Sequence, residues 1–542
     1  MTSEKTTGAV EEANTRLTAE NLPMNKATTS DQVSESMGTL ARGAAVNMIG
    51  SGSNMVGRLI FNLLVARLLG AGQLGVYFLA LSIANVVAVV AVGGFDITLV
   101  RNLAHQRTQE NWGHFRGTLQ FAMRSVAVLG ILGTVILLVW APWISNALFH
   151  KPEVATPLRI VSLYIPFYTF EMVLLAATQS FKEMKYKAYI ESMLNPAVRI
   201  VLVGMIFLLG GGLKSLLITY VGTVALCAIL AYFALRRCLP VNLTEYKPVI
   251  DRRGLLQYSS PLFGVNILTF LIFYADALVL AHFRSTAEVG LYAVCIRLIV
   301  ITGFALPVVS QIFAPMISEL HHRGATAEME AYFRVVTVWA LEFFVPLILL
   351  FIVAPRPILG LFGRDFRVAA PCLLILAIGQ LVNIITGPVG LILNMSGWTR
   401  LQFWNSAVVL STQTALAFLL VPRYGYMGAA AANTSALVIV NAARIVQLQR
   451  RLHINPFSWS LGKPVIASMV ALAVGLMFRS AAGTGLLRLV LLWVVMVLAY
   501  AATLWSFGLD HHSRLAWNHL RELLGRRLKP GPFSVPVGKE AQ

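Results

Sequence analysis

Apolar residues run along this chain in unbroken blocks. From Ala44 to Leu509, stretches of about twenty mostly apolar residues follow one another, each closed by a short polar or glycine-containing turn. A block of that length crosses a hydrocarbon core of roughly 30 Å as a helix, because in lipid each backbone polar group must be paired within its own segment. Barrel strands alternate instead, so a barrel is excluded. The blocks fall near 44–69, 76–100, 117–140, 157–180, 190–210, 215–235, 259–283, 289–318, 332–354, 369–394, 401–421, 428–449, 463–480 and 485–508. They predict an all-α polytopic membrane protein with about fourteen transmembrane helices.

The first block is not apolar all round. Asn47, Ser51, Asn54, Arg58 and Asn62 recur at spacings of three and four and so share one helix face. Arg58 lies about eleven residues from the end of the block, roughly 16 Å deep. A midplane arginine is costly against lipid and must face protein or a water-filled cavity. Two readings stay open: a buried arginine that pins a neighbouring helix, or the cationic wall of a transport pathway.

Composition fits a membrane protein: of 542 residues 57% are hydrophobic and 12% charged, about half the charged fraction of a soluble domain. The net charge of +19 would point to nucleic acid in a soluble chain. Here the basic residues gather on alternate loops: Arg101, Arg107 and Arg116; Lys182, Lys185 and Lys187; Arg236, Arg237, Lys247, Arg252 and Arg253; Arg450 and Arg451. By the positive-inside rule these loops and both termini are expected in the cytoplasm, with the chain in the cell inner membrane and no nucleic-acid partner. The opposite loops are short, and neither 142–156 nor 355–368 is long enough for a folded domain. Cys227, Cys238, Cys295 and Cys372 imply neither a disulfide framework nor a metal site.

A weak repeat appears at an offset near 215. Ala66 to Tyr77 is answered without a gap by Ala281 to Tyr292, each ending Gly-x-Tyr. Ser51 and Asn54 are answered by Asn266 and Thr269, and Leu148-Phe149 by Leu361-Phe362. Six spans restore the starting side, so the repeat is parallel, about an axis along the membrane normal. The expected organisation is a disordered tail (1–38), a six-helix lobe (39–235), a basic linker (236–258), a second six-helix lobe (259–450), two extra helices (451–509) and a basic tail (510–542). Within that last tail, 515–528 has the makings of an amphipathic surface helix.

Charges inside the spans are the functional candidates. Asp276 and Arg297 lie on sequential spans at similar depth, so either they pair or Asp276 serves ion coupling. Glu171 and Arg199 pose the same choice, and Glu342 has no obvious partner. With Asn54, Arg58, Asn62, Arg199, Asn266, Thr269 and Arg297 lining a cavity, the deepest set is cationic and suits an anionic cargo such as a phosphate or acidic sugar. Arg124 and Arg444 lie nearer the basic side, within snorkelling reach of the surface. Asp96 and Arg101 are expected to pair locally there. Pro196, Pro307, Pro346 and Gly387-Pro388 supply kinks. No phosphate loop, Asp-x-Asp or His-Glu-x-x-His occurs, so no enzyme and no cofactor is expected, with coupling to protons or sodium ions left open.

Asn62-Leu-Leu-Val-Ala-Arg-Leu-Leu-Gly-Ala-Gly-Gln-Leu-Gly-Val-Tyr77 resembles the opening of Wzx-type polysaccharide-biosynthesis flippases, of the multidrug/oligosaccharidyl-lipid/polysaccharide exporter superfamily. Gly94-Phe95-Asp96, Leu361-Phe362-Gly363-Arg-Asp-Phe366 and Pro422-Arg-Tyr-Gly425-Tyr-Met-Gly428 resemble later segments of the same family, in the same order. The resemblance covers about 40–510. It implies two pseudo-symmetric lobes around a cleft. It also implies passage of a polyprenyl-diphosphate-linked oligosaccharide between leaflets, for exopolysaccharide, capsule or O-antigen. The partners implied are that lipid-linked oligosaccharide, membrane lipids, and polysaccharide polymerase or export machinery. Peptidoglycan-precursor flippases carry an Arg-Asp pair where this chain has Phe61-Asn62, which counts against that cargo. Other readings are a drug/cation antiporter, which calls for a carboxylate-lined cavity, and a non-transporting membrane scaffold.

Overall fold

The computed structural model describes the backbone of residues 26–303, 316–454, 462–479 and 485–507, and within these the side chains from Asn54 onward, Tyr258, Pro261 and Thr399 apart. Pro307 and the tail 510–542 lie outside the described residues. Every regular element among the described residues is helical. The N-terminal lobe is built from α1 (Lys26–Val92), α2 (Phe95–Thr108), α3 (Trp112–Trp143), α4 (Ala155–Ser162), α5 (Tyr164–Ser180), α6 (Asn195–Leu208) and α7 (Leu213–Cys238). The C-terminal lobe has α8 (Arg252–Phe283), α9 (Thr286–Gly303), α10 (Thr326–Val353), α11 (Pro355–Phe362), α12 (Ala370–Ile385), α13 (Val389–Met395) and α14 (Thr399–Leu452). Two further helices follow, α15 (Gly462–Met477) and α16 (Leu486–Ser506).

Ten described helices are long and apolar enough to cross a membrane. Two of them join consecutive predicted spans. α1 is broken at Gly70, where φ is 68° and ψ 178°, and α14 at Gly425. Gly70 marks the turn predicted after the first block. A positive φ there is open to glycine at no steric cost. Proline acts where predicted: Pro196 opens α6 after a π-helical stretch, Ala188–Leu194, and Pro388 separates α12 from α13.

Two expectations are corrected. Helix α1 starts at Lys26, so the stretch 26–38 is helix and not disordered tail. Helix α8 starts at Arg252, not 259, with Asp251 accepting from the Gly254 N–H as its cap. The linker lies against the N-terminal lobe. Arg116 donates to the carbonyls of Thr244 (2.9 Å) and Tyr246 (2.6 Å), and the Val249 N–H to Gly113 (3.0 Å), strapping 239–251 onto the N-terminal lobe.

The core explains how the lobes sit. At the short-loop face one continuous apolar cluster crosses both lobes, with Val65, Tyr77 and Leu79 beside Leu280, Tyr292 and Leu298. Toward the basic-loop face the core divides. One cluster belongs to the N-terminal lobe (Leu99, Phe115, Val173, Cys227) and takes in Leu255 from the start of α8, and another belongs to the C-terminal lobe (Phe333, Ile392, Leu448). The lobes still touch at this face, where a Cβ on Gly94 would lie 3.0 Å from the Ser259 carbonyl oxygen. The last two helices pack outside the second lobe, placing Ala467, Ala471 and Met496 in the shared core beside α10.

Candidate functional site between the lobes

The lobes close on each other at the short-loop face through a nearly two-fold contact. A Cβ on Gly75 would overlap the Thr286 carbonyl, and one on Gly290 would overlap that of Ala71. Each residue's partner is the repeat mate of the other's, 215 positions away. Only glycine allows both backbones to approach this closely. The flanking bonds repeat the pattern: Arg67 Nε donates to Leu361 O (2.7 Å) and His282 Nδ1 to Leu148 O (2.5 Å). Lys151 Nζ adds bonds to the carbonyls of Phe149 (3.1 Å) and Ala281. Burial holds the Lys151 amine below the ordinary lysine pKa, against the opposing pull of Glu153 and Glu288.

Beneath this seal a cationic and aromatic group spans the lobes. Arg297 of α9 reaches across to Asn62 of α1 (Nη1 to Oδ1, 2.5 Å), with its guanidinium 4.9 Å from the centre of the Phe78 ring. Arg58 is exposed and within electrostatic reach of Arg297 and Tyr274. The Tyr274 hydroxyl accepts from Asn85 Nδ2 (3.2 Å), whose Oδ1 accepts from Tyr164 (2.5 Å). Arg199 stacks 4.0 Å from the centre of Tyr220, which in turn meets Tyr164 at 5.5 Å. Among the described residues, Arg58, Arg199 and Arg297 form no ion pair with a carboxylate. Ring faces solvate Arg199 and Arg297, and the Asn62 amide oxygen adds to Arg297, without neutralising either charge.

Of the two readings left open for each intramembrane pair, ion pairing is seen for neither. Asp276 does not meet Arg297. It is fully buried, accepting from the Tyr292 hydroxyl, from Asn433 Nδ2 (3.0 Å) and from the Ala277 N–H (2.7 Å). Depth along two sequential helices fixed the height of the two groups but not the direction each faces. Glu171 is buried near Arg199 without an ion pair, and its Oε1 has no hydrogen-bond partner. Asp96 shares a cavity of about 410 Å³ with Arg101, Lys187 and Glu191 on the basic-loop side of the N-terminal lobe. Arg444 does not snorkel outward: it donates to Asn441 (3.4 Å) and lies against Gly390.

Of the predicted cavity residues the structure brings together Arg58, Asn62 and Arg297, with Arg199 stacked on Tyr220 and, like Arg297, within electrostatic reach of Tyr77. Asn54 and Asn266 are half-buried and Thr269 bonds back to Val265, so none of the three is tied into this group. Glu342 lies apart, within reach of Tyr500 on α16. The aromatic partners Phe78, Tyr274, Tyr164 and Tyr220 were not singled out beforehand. An aromatic residue inside an apolar block has the same sequence signature as core.

The architecture is that of the lipid-flippase and multidrug-transporter folds. The chain superposes on "Lipid II flippase MurJ, inward closed conformation" with TM-score 0.69 at 15% identity, over 84% of this chain and 98% of that one. On an inward-facing MATE family transporter of the MOP superfamily it gives 0.62 at 11% identity, over 76% and 98%. The profile of the family described as "Polysaccharide biosynthesis protein" matches residues 64–371, and the chain belongs to that family. It is also 21% identical to Stage V sporulation protein B of Bacillus subtilis (strain 168) over 464 residues, 80% of this chain and 88% of that protein.

Proposed function

We propose that the protein is a flippase that moves a lipid-linked oligosaccharide from the inner to the outer leaflet of the cell inner membrane for polysaccharide synthesis. One observation carries this reading. Arg58 and Arg297 come within electrostatic reach of each other between the lobes, Arg297 against the Phe78 ring and the Asn62 amide, and among the described residues neither pairs with a carboxylate. Such a site favours a diphosphate and acidic sugars, whose oxygens take charge-assisted hydrogen bonds from guanidinium groups. The prenyl tail stays in lipid beside the lobes. A drug/cation antiporter would need the opposite charge in this position.

Toward the basic-loop face the lobes keep separate core clusters and meet along the start of α8, an arrangement that fits a resting state receiving cargo from the cytoplasmic side, with both termini cytoplasmic. Flipping then requires the Gly75–Gly290 contact to part and the divided ends to close. Asp276, held by Tyr292 and Asn433, is the candidate for coupling to protons or sodium ions, with Glu171 and Glu342 behind it.

The test is glycan export in a strain carrying Arg58→Ala, with membrane protein level measured in parallel. Loss of export at normal protein level is the expected result. Normal export sinks the cationic pathway and leaves Arg58 as an anchor.

A further inference from the structure

A second cationic site lies on the membrane-facing flank of the N-terminal lobe, away from the cleft. A cavity of about 360 Å³ opens between α3 and α7 at the basic-loop face. Its walls carry Leu119, Met123 and Arg124 from α3 and Tyr232 and Arg236 from α7, and Leu174 of α5 and Leu239 of the linker strap also line it. No residue of the C-terminal lobe lines it. Arg124, Tyr232 and Arg236 are exposed, and the Arg236 guanidinium lies 5.2 Å from the centre of the Tyr232 ring. Among the described residues neither arginine forms an ion pair.

Its depth fits a headgroup. Helix α3 has 32 residues, about 48 Å of rise against a hydrocarbon core of roughly 30 Å. Its first turns therefore stand outside the hydrocarbon, and Arg124 sits near the boundary. From there α3 and α7 continue as exposed aliphatic flanks, with Val128 at 65% and Ile229 at 53% exposure. A lone arginine at that level would simply snorkel to whatever lipid passed. Two guanidinium groups sharing one concave, apolar-backed cavity can bind the same phosphate from two sides.

We propose that this cavity binds the phosphate headgroup of an anionic phospholipid, with one acyl chain lying along the α3–α7 flank. It is a lipid site of the membrane surroundings and does not depend on the cargo of the cleft.

The full-length protein is purified in detergent and examined by native mass spectrometry with phosphatidylglycerol, with phosphatidylcholine and with inorganic phosphate. Phosphatidylglycerol is expected to be retained over phosphatidylcholine by roughly thirtyfold, as two basic residues at a headgroup allow. Each of Arg124→Gln and Arg236→Gln removes roughly fivefold of that preference, and the double variant removes nearly all of it. Arg237→Gln, one position along the same helix, leaves it unchanged. If the double Gln variant elutes as aggregate, the Arg124→Lys/Arg236→Lys variant replaces it and retains most of the preference. Three results overturn the proposal: equal retention of both lipids by the wild type, an unchanged preference in the double Gln variant, or displacement of the lipid by millimolar inorganic phosphate. The second would reduce the site to diffuse surface charge, and the third would make free phosphate the ligand.

Discussion

The two lobes share a backbone plan and differ in what they keep inside. Tyr77 and Tyr292 are repeat mates, both buried. Tyr292 finds Asp276, whereas the repeat mate of Asp276 in the first lobe is the apolar Phe61. The N-terminal interior holds Glu171 and Arg199 among tyrosines. The C-terminal interior relies mostly on neutral amides: Asn383 with Asn441 at 2.9 Å, and Asn405 with Gln447 in a two-way pair at 2.8 and 2.9 Å. Near-symmetry survives at the short-loop seal, where the contact is between backbones and tolerates only glycine. It is lost in the interiors, where side chains set the chemistry. Two copies of one fold therefore form one shared gate and two different electrostatic environments.

The largest expected effect tests the shared gate. Gly75→Val and Gly290→Val each force side-chain atoms into a carbonyl of the other lobe. Overpacking of about 2–3 kcal/mol implies a fall in glycan export of roughly thirty- to 150-fold for either variant. Symmetry requires the two to behave alike. A strain in which one variant is inactive and the other exports normally would break the two-fold account of the seal.

Next in size is the removal of charge beneath the seal. Arg297→Gln loses a charge-assisted bond to Asn62 that bridges the lobes, worth about 1.5–3 kcal/mol, so export should fall by roughly tenfold or more. Arg199→Gln leaves the bridge intact and should cost less. Equal losses from the two would mean that net positive charge matters and the bridge does not.

A smaller effect separates the interiors by sign. Asp276 accepts three hydrogen bonds, so Asp276→Asn leaves donors facing donors and should lower the thermal midpoint of the purified protein. Glu171 carries an unpartnered, buried Oε1, and Glu171→Gln removes the burden of holding a carboxylate there. Its midpoint should rise by a few degrees, on the order of 1 kcal/mol. Midpoints shifting in the same direction would contradict the contrast between the lobes.

Much of this was legible in the sequence. Block length and turn glycines located the spans, because lipid imposes helix on every crossing segment. The Gly-x-Tyr repeat at Tyr77 and Tyr292 announced two lobes. The three-and-four spacing of Arg58 and Asn62 placed both on the face that meets Arg297. Azimuth between helices was not legible. Asp276 and Arg297 share a depth yet face different neighbours, and the Asn433 that does bind Asp276 lies 157 positions away. The amide pairs of the C-terminal lobe were hidden for the same reason.

The smallest expected effect bears on whether the two halves of the seal act together. Arg67 and His282 are repeat mates that each donate one bond to a carbonyl of the opposite lobe. One such bond is worth about 1 kcal/mol, or roughly fivefold in a closed-to-open equilibrium. The readout is the labelling rate of Ala66→Cys by a membrane-impermeant maleimide, in a protein whose four native cysteines are replaced by alanine. Arg67→Ala and His282→Ala should each raise the rate by roughly fivefold. If both bonds hold a single rigid contact, each favours the same closed state, and the double variant should approach the product, about twenty-fivefold. If the halves open independently, the double variant labels no faster than the quicker single one. The product would mean that the lobes part as two bodies about one axis, as near-symmetry at Gly75 and Gly290 requires. A non-multiplying result would mean that the seal frays from one side, with its symmetry inherited from the repeat and unused in the motion.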